Sequence, residues 1–105
     1  MDSTAFTILG EPTRLRILSE LRDEELHVGE LVAKLDCTQP TISKHLKVLR
    51  DAGFVECRVD AQRRVYHLKQ QPFKSLDDWL EPYRQLWNRN LDALENFLDQ
   101  QENNK

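Results

Sequence analysis

At 105 residues, with 39% apolar and 31% charged side chains, the chain fits one globular domain with a modest core, near the size at which a second subunit can supply much of the buried surface. No stretch approaches a membrane span, the first ten residues lack the basic start and apolar run of a signal peptide, and two cysteines, Cys37 and Cys57, fit reduced thiols, so a cytoplasmic protein is expected. The net charge of −3 conceals a division: residues 38–69 carry 7 basic and 3 acidic side chains, against 4 and 8 in residues 1–37 and 4 and 7 in residues 70–105.

Ser3 to Leu9 reads as a short helix with Ser3 as its cap and Phe6 and Leu9 on one side. Gly10 and Glu11 break it, and Pro12 suits the first position of a second helix, whose Leu15, Leu18 and Leu21 make an apolar stripe with Arg14, Arg16 and Arg22 off it. After the polar turn Asp23, Glu24 and Glu25, the residues Val28, Leu31, Val32 and Leu35 fall at helical spacing. Asp36, Cys37 and Thr38 then separate this helix from the next, about the length of a helix-turn-helix turn.

The next helix is the centre of the pattern. Thr38 serves as N-cap, Pro40 lies in the first turn where a missing N–H costs little, and Gly53 suits a left-handed C-terminal cap. Ile42, Leu46 and Leu49 form one stripe and leave Gln39, Thr41, Lys44, His45 and Lys47 on other faces, with no carboxylate among them. Amide, hydroxyl, imidazole and ammonium groups are those that contact base edges and phosphates in a major groove. Taken alone, the stretch reads equally as a solvated amphipathic helix. Two short helices joined so tightly, however, form a unit in which the second enters the groove.

Val55 to Val59 and Arg64 to Leu68 are β-prone runs around Asp60, Ala61, Gln62 and Arg63, and predict a hairpin. Alternation puts Val55, Cys57 and Val59 on one face and Glu56 and Arg58 on the other, with Tyr66 and Leu68 inward. Arg63 and Arg64 fall at or beside the tip, where arginine suits a minor groove or its phosphates. The tip has no glycine, so a turn longer than two residues is expected. Helix, tight turn, helix and basic hairpin is the order of a winged helix-turn-helix.

From Ser75 onward one long helix is expected, with Ser75 and Asp78 at capping-box-like spacing. Leu76, Leu80, Tyr83, Trp87, Leu91, Leu94 and Leu98 step by 4, 3, 4, 4, 3 and 4 and stay in one stripe, which Trp79, Leu86 and Phe97 widen. Pro82 should kink the helix or mark its true start. A stripe this wide and aromatic reads as a dimer seam, with Phe6 and Leu9 alongside; packing wholly within one subunit is the alternative. A symmetric dimer would set two reading helices about one DNA turn apart, roughly 34–36 Å, and predicts an inverted-repeat operator.

Pro12 to Leu18, then Val28, Gly29, Glu30 and Leu31, then Gln39 to Leu49, and Ala52, Gly53, Phe54 and Val55 together resemble the ArsR/SmtB family of small bacterial winged-helix repressors. The resemblance covers roughly residues 5 to 100. It implies a homodimer that binds an operator near its target promoter and represses until an inducer releases it, and it suggests that Leu26 and His27 add a short strand against the wing. Many members of that family bind metal through cysteines in a Glu-Leu-Cys-Val-Cys-Asp-Leu stretch. The matching run here is Glu25, Leu26, His27, Val28, Gly29, Glu30 and Leu31, so His27 and Gly29 replace the two thiols. The family's other metal site needs histidines on the last helix, and none follows His67. No metal and no cofactor are therefore expected.

Cys37, at the start of the reading helix where a helix dipole lowers a thiol pKa, and Cys57 fit either a thiol switch or small buried apolar residues. No nucleophile motif or glycine-rich phosphate loop occurs, which argues against an enzyme. The expected fold is mainly α with a small β-hairpin, one winged helix-turn-helix over residues 1–105, with 1–10 and 73–101 as dimerisation helices. The expected function is a DNA-binding repressor, and the alternatives are a protein-interaction module using the same surfaces or a metal- or thiol-responsive repressor. The expected groove residues are Gln39, Thr41, Ser43, Lys44 and His45, with Thr38, Lys47, Arg63 and Arg64 as phosphate or wing contacts; the expected dimer residues are Phe6, Leu9, Leu76, Trp79, Leu80, Tyr83, Leu86, Trp87, Leu91, Leu94 and Leu98.

Overall fold

The computed structural model describes residues 2–103; Met1, Asn104 and Lys105, part of the expected span, lie outside the described residues. The order is α1 (Ser3–Leu9), α2 (Pro12–Asp23), β1 (Leu26–His27), α3 (Val28–Leu35), α4 (Gln39–Asp51), β2 (Val55–Asp60), β3 (Arg63–Leu68) and α5 (Gln70–Asn103). The chain falls into two compact units, Met1–Lys74 and Ser75–Lys105.

The first unit is a winged helix-turn-helix. Ile17, Leu18 and Leu21 of α2, Leu31 and Leu35 of α3, and Ile42, Leu46 and Leu49 of α4 close on Leu26, Phe54, Val55 and Tyr66 in one buried cluster. Phe73, from the first turn of α5, meets Phe54 edge-on with ring centroids 5.8 Å apart. The helix starts differ in detail from the sequence reading. Asp2, not Ser3, caps α1, because Asp2 is extended and its Oδ1 accepts the Ala5 N–H at 3.3 Å while Ser3 is already helical. Leu15, expected in the α2 stripe, is exposed and Ile17 is buried instead. At about 100° per residue, Ile17, Leu21 and Leu18 share one arc and Leu15 lies some 60° past its edge.

The three strands run in the order β1-β3-β2, antiparallel throughout. The register Val55↔Leu68 and Cys57↔Tyr66 puts those pairs on one face, as alternation requires. Val59 follows on that face yet is 73% exposed, because it lies toward the tip, past the last core residues of the hairpin. The tip corrects an expectation. Asp60 pairs with Arg63, so the turn has only two residues, and Ala61 takes the left-handed φ of 58° that glycine would have supplied.

The second unit is the body of α5. The helix begins at Gln70, five residues before the expected Ser75, and runs through Pro82, which is therefore not its start. Pro82 removes one N–H from the ladder. Arg84 braces the turns around it, donating from Nη2 to the Asp77 carbonyl at 2.9 Å and from Nε to Glu81 Oε2 at 3.2 Å.

Candidate nucleic-acid interface

The helix pair α3–α4 is set by its turn. Asp36 adopts φ 52° as the C-cap of α3, and the freed Leu35 carbonyl accepts from Arg16 Nη2 at 2.9 Å and from the Cys37 thiol at 3.4 Å. Arg16 of α2 thereby holds the turn from outside it. Thr38 opens α4 with an extended backbone; its Oγ1 accepts the Thr41 N–H at 3.4 Å and lies 2.8 Å from the Thr41 hydroxyl. The far end closes in a Schellman motif, with the Phe54 N–H on the Leu49 carbonyl at 2.9 Å and the Gly53 N–H on the Arg50 carbonyl at 3.0 Å. Gly53 sits at φ 83°, where a side chain would be strained.

With Ile42, Leu46 and Leu49 buried inward, Gln39, Thr41, Ser43, Lys44 and Lys47 are exposed along α4, behind the exposed Thr38. Gln39, Ser43 and Lys47 step by four and share one face. Arg63 and Arg64 are exposed where the hairpin turns. The structure does not bring His45 into this row. Its side chain is 15% exposed and its Nδ1 faces Glu11 Oε2 at 3.7 Å.

Glu11 is thus a junction. Its Oε2 caps α2 by accepting the Arg14 N–H at 2.9 Å, and Arg14 Nη1 in turn donates to the Ile8 carbonyl at 3.1 Å. The Arg14 N–H, chiefly, with a lesser pull from His45, holds the Glu11 carboxyl below the usual carboxylate range. The start of α2 and the middle of α4 meet at this one carboxylate, and Arg14 ties the end of α1 to the same turn.

The charges sort into two groups. Arg58 is tied to Glu25, 33 residues away, through Nε at 3.2 Å and through Nη2; that contact lowers the Glu25 pKa and raises that of Arg58. Lys69 and His67 both reach Glu56, at 3.4 and 3.1 Å, and lower its pKa, His67 more than Lys69. Lys47 meets Asp51 at 2.8 Å, but both are largely exposed and such a pair is worth little. Among the described residues, Lys44, Arg63 and Arg64 form no ion pair with a carboxylate. These cations remain available to an outside anion.

Sequence reasoning missed Arg16, Glu11 and the Glu25–Arg58 pair. Each acts across the chain, and a lone charged residue beside a turn carries no local signal of its distant partner. Of the expected dimer residues, Leu9 packs against the first unit's core and Phe6 is exposed. On α5, Leu76 and Leu80 are half-buried, whereas Trp79, Tyr83, Leu86, Trp87, Leu91, Leu94 and Leu98 are exposed. His27 has a role no spacing suggested. It caps α3, its Nδ1 accepting the Glu30 N–H at 3.3 Å while Glu30 Oε1 accepts the His27 N–H at 3.1 Å. A Cβ on Gly29 would stand 3.1 Å from the His27 ring, so glycine leaves room for that cap.

Residues 11–56, which span α2 to the start of the wing, match the family described as "Bacterial regulatory protein, arsR family". The "HTH-type transcriptional regulator Rv2034" of Mycobacterium tuberculosis is 35% identical over 95 residues, covering 90% of this chain and 86% of that one. The chain belongs to the ArsR family. Another relative is the "Biofilm growth-associated repressor" of Agrobacterium fabrum, 48% identical over 60 residues that make up 57% of this chain. The match spans about half, 51%, of that relative's length. Among solved structures, the transcriptional repressor BigR from Xylella fastidiosa superposes with a TM-score of 0.65 at 32% identity, covering 77% of this chain and 80% of that one. These relatives are regulators or repressors by name, and no helix among the described residues is long and apolar enough to cross a membrane.

Proposed function

We propose that this chain is a cytoplasmic transcriptional repressor that binds a double-stranded DNA operator as a homodimer and reads an inverted repeat. One observation carries the reading: from Gln39 to Lys47, α4 presents an exposed row of amide, hydroxyl and ammonium groups without a carboxylate, the first being Asp51 at the helix end, and Lys44, Arg63 and Arg64 form no ion pair among the described residues. Gln39, Thr41, Ser43 and Lys44 would enter the major groove, where amides and ammonium groups discriminate adenine and guanine edges. Thr38, Lys47, Arg63 and Arg64 would hold phosphates or the minor groove beside the wing. His45 supports the reading helix from behind, against Glu11, rather than touching bases. The net negative body does not oppose this, since screening confines its field to about 8–10 Å at ordinary salt.

The division of labour is tested by fluorescence anisotropy on operator and random duplexes at several salt concentrations. Operator fragments come from genomic selection with the purified protein. Gln39→Ala should erase most of the preference for operator, a loss of about 1–3 kcal/mol of discrimination. Arg64→Ala should weaken both duplexes alike and flatten the salt slope by about one. Equal losses on both duplexes for both variants would defeat the assignment, and an absence of salt-dependent binding would favour a protein-interaction module instead.

A further inference from the structure

The inward face of α4 is aliphatic. Ile42, Leu46 and Leu49 decide which side of the helix is buried, but apolar burial carries no direction of its own, so the fine setting of the helix falls to polar contacts. Among the described residues, His45 with Glu11 is the one ion pair that joins a side chain of α4 to another element; Lys47 pairs within the helix, and Lys44 with no carboxylate. That contact is not closed. His45 Nδ1 stands 3.7 Å and Arg14 Nε 4.0 Å from the same Glu11 Oε2, and both nitrogens are buried without a hydrogen-bond partner. Such atoms are rare in folded proteins because each forfeits its bond to water. Among the described residues, two of the three converge on this one oxygen.

We propose that Glu11 and His45 are a proton-dependent positioning pair, which draws α4 into its reading position when His45 is charged and so raises the preference for operator over random DNA as pH falls from about 8 to about 6. This rests on the DNA-binding reading above and adds to it the contact that sets the reading helix. α4 packs on α2, α3 and β2; the charged side chains at this contact are Glu11 and Arg14, both of α2, and none of α3 or β2 pairs with His45. Arginine keeps its charge throughout that range, and the Glu11 carboxyl, held low first by the Arg14 N–H, stays ionised. Histidine is the side chain whose charge changes there. The imidazolium carries hydrogen on both ring nitrogens, so Nδ1 then donates towards Oε2 with a full charge, whereas the neutral ring brings only a dipole. A base-edge hydrogen bond needs about 2.7–3.2 Å between heavy atoms and weakens steeply with misalignment. A small displacement of α4 therefore costs Gln39 and its neighbours at base edges more than it costs long side chains on phosphates.

Fluorescence anisotropy of the full chain on selected operator and random duplexes, at about pH 6 and about pH 8 and fixed ionic strength, tests the pair. The ratio of the two affinities should be about two- to fivefold larger at the lower pH, the range expected of a partly exposed ion pair. His45→Gln and Glu11→Gln should each remove that dependence, and the double variant should add nothing further. Glu11→Gln keeps an oxygen for the Arg14 N–H, so α2 stays capped, and it decides the matter if His45→Gln fails to fold. A ratio that does not change with pH in the unaltered chain, or a dependence that survives in either folded variant, would overturn the pair. Equal gains on both duplexes would do the same, since an added charge beside DNA favours every sequence alike. These outcomes leave the DNA-binding reading standing, whereas an unaltered chain with no operator preference at either pH defeats both.

Discussion

Helices α4 and α5 carry nearly the same amphipathic pattern and meet opposite fates. In α4, Ile42, Leu46 and Leu49 are buried by the chain's own α2, α3 and wing, and the polar face is the one turned outward. In α5, the apolar face from Tyr83 to Leu98 stays more than half exposed over four turns. Spacing fixes which side of a helix is apolar; what covers that side depends on the rest of the chain. A helix whose apolar face is satisfied at home can offer its polar face to a ligand, whereas one whose apolar face is left open offers that face itself.

The largest test breaks this contrast directly. Leu49→Ala opens a cavity in a core where the side chain has no exposed surface, and should lower unfolding free energy by about 2–5 kcal/mol at every protein concentration. Leu91→Ala should cost little in dilute solution, with its effect growing over the range in which the unaltered chain associates. Thermal melts across a concentration series check both. Equal, concentration-independent losses would mean that α5 is covered within a single chain, and the comparison would lose its basis.

A smaller pair of changes asks how the end of α4 and the tip of the wing are set. Gly53 and Ala61 both occupy the left-handed region, at φ 83° and 58°, but only the first is glycine. Nothing lies within 4 Å of a Cβ built on Gly53, so Gly53→Ala probes backbone strain alone and should destabilise by about 1–2 kcal/mol. Ala61→Gly should do the reverse, a gain of at most about 1 kcal/mol, read by denaturant titration. A loss at Ala61→Gly would show that the turn's conformation is not what strains it.

Much of this was legible in the sequence because local rules and tertiary packing agreed. Thr38 and Gly53 bracket α4 as capping rules require, Ile42, Leu46 and Leu49 point inward, and the hairpin pairs in the register that alternation gives. The failures were of two kinds. Leu15 and the two-residue tip at Ala61 were misjudged where packing overrode a local preference: the core arc passes through Ile17, and the strands pair close enough to force a strained turn. His45 was misjudged because a histidine beside two lysines looks outward in the sequence, and the carboxylate that it faces, Glu11, lies on another element.

The smallest effect concerns the carboxylates that hold the setting of α4 and the wing. Glu25 is held below its ordinary pKa first by its hydrogen bond to Arg58, Glu11 first by the Arg14 N–H, and Glu56 first by His67. A carboxyl whose pKa is lower folded than unfolded contributes stability that is present above the unfolded value and lost as pH falls through the folded one. Acid should therefore destabilise the first unit progressively below about pH 4.5. Glu25→Gln keeps the shape of the side chain but cannot lose a charge there, so it should change the melting temperature little at neutral pH and make the acid loss shallower. Glu25 and Glu56 are exposed and Glu11 is half-buried, and screening by solvent keeps each contribution small. If Glu25→Gln instead left the acid profile unchanged while weakening DNA binding at neutral pH, the Arg58 contact would serve to orient the wing rather than to stabilise the fold, and the wing would join α4 as an element set by charges from elsewhere in the chain.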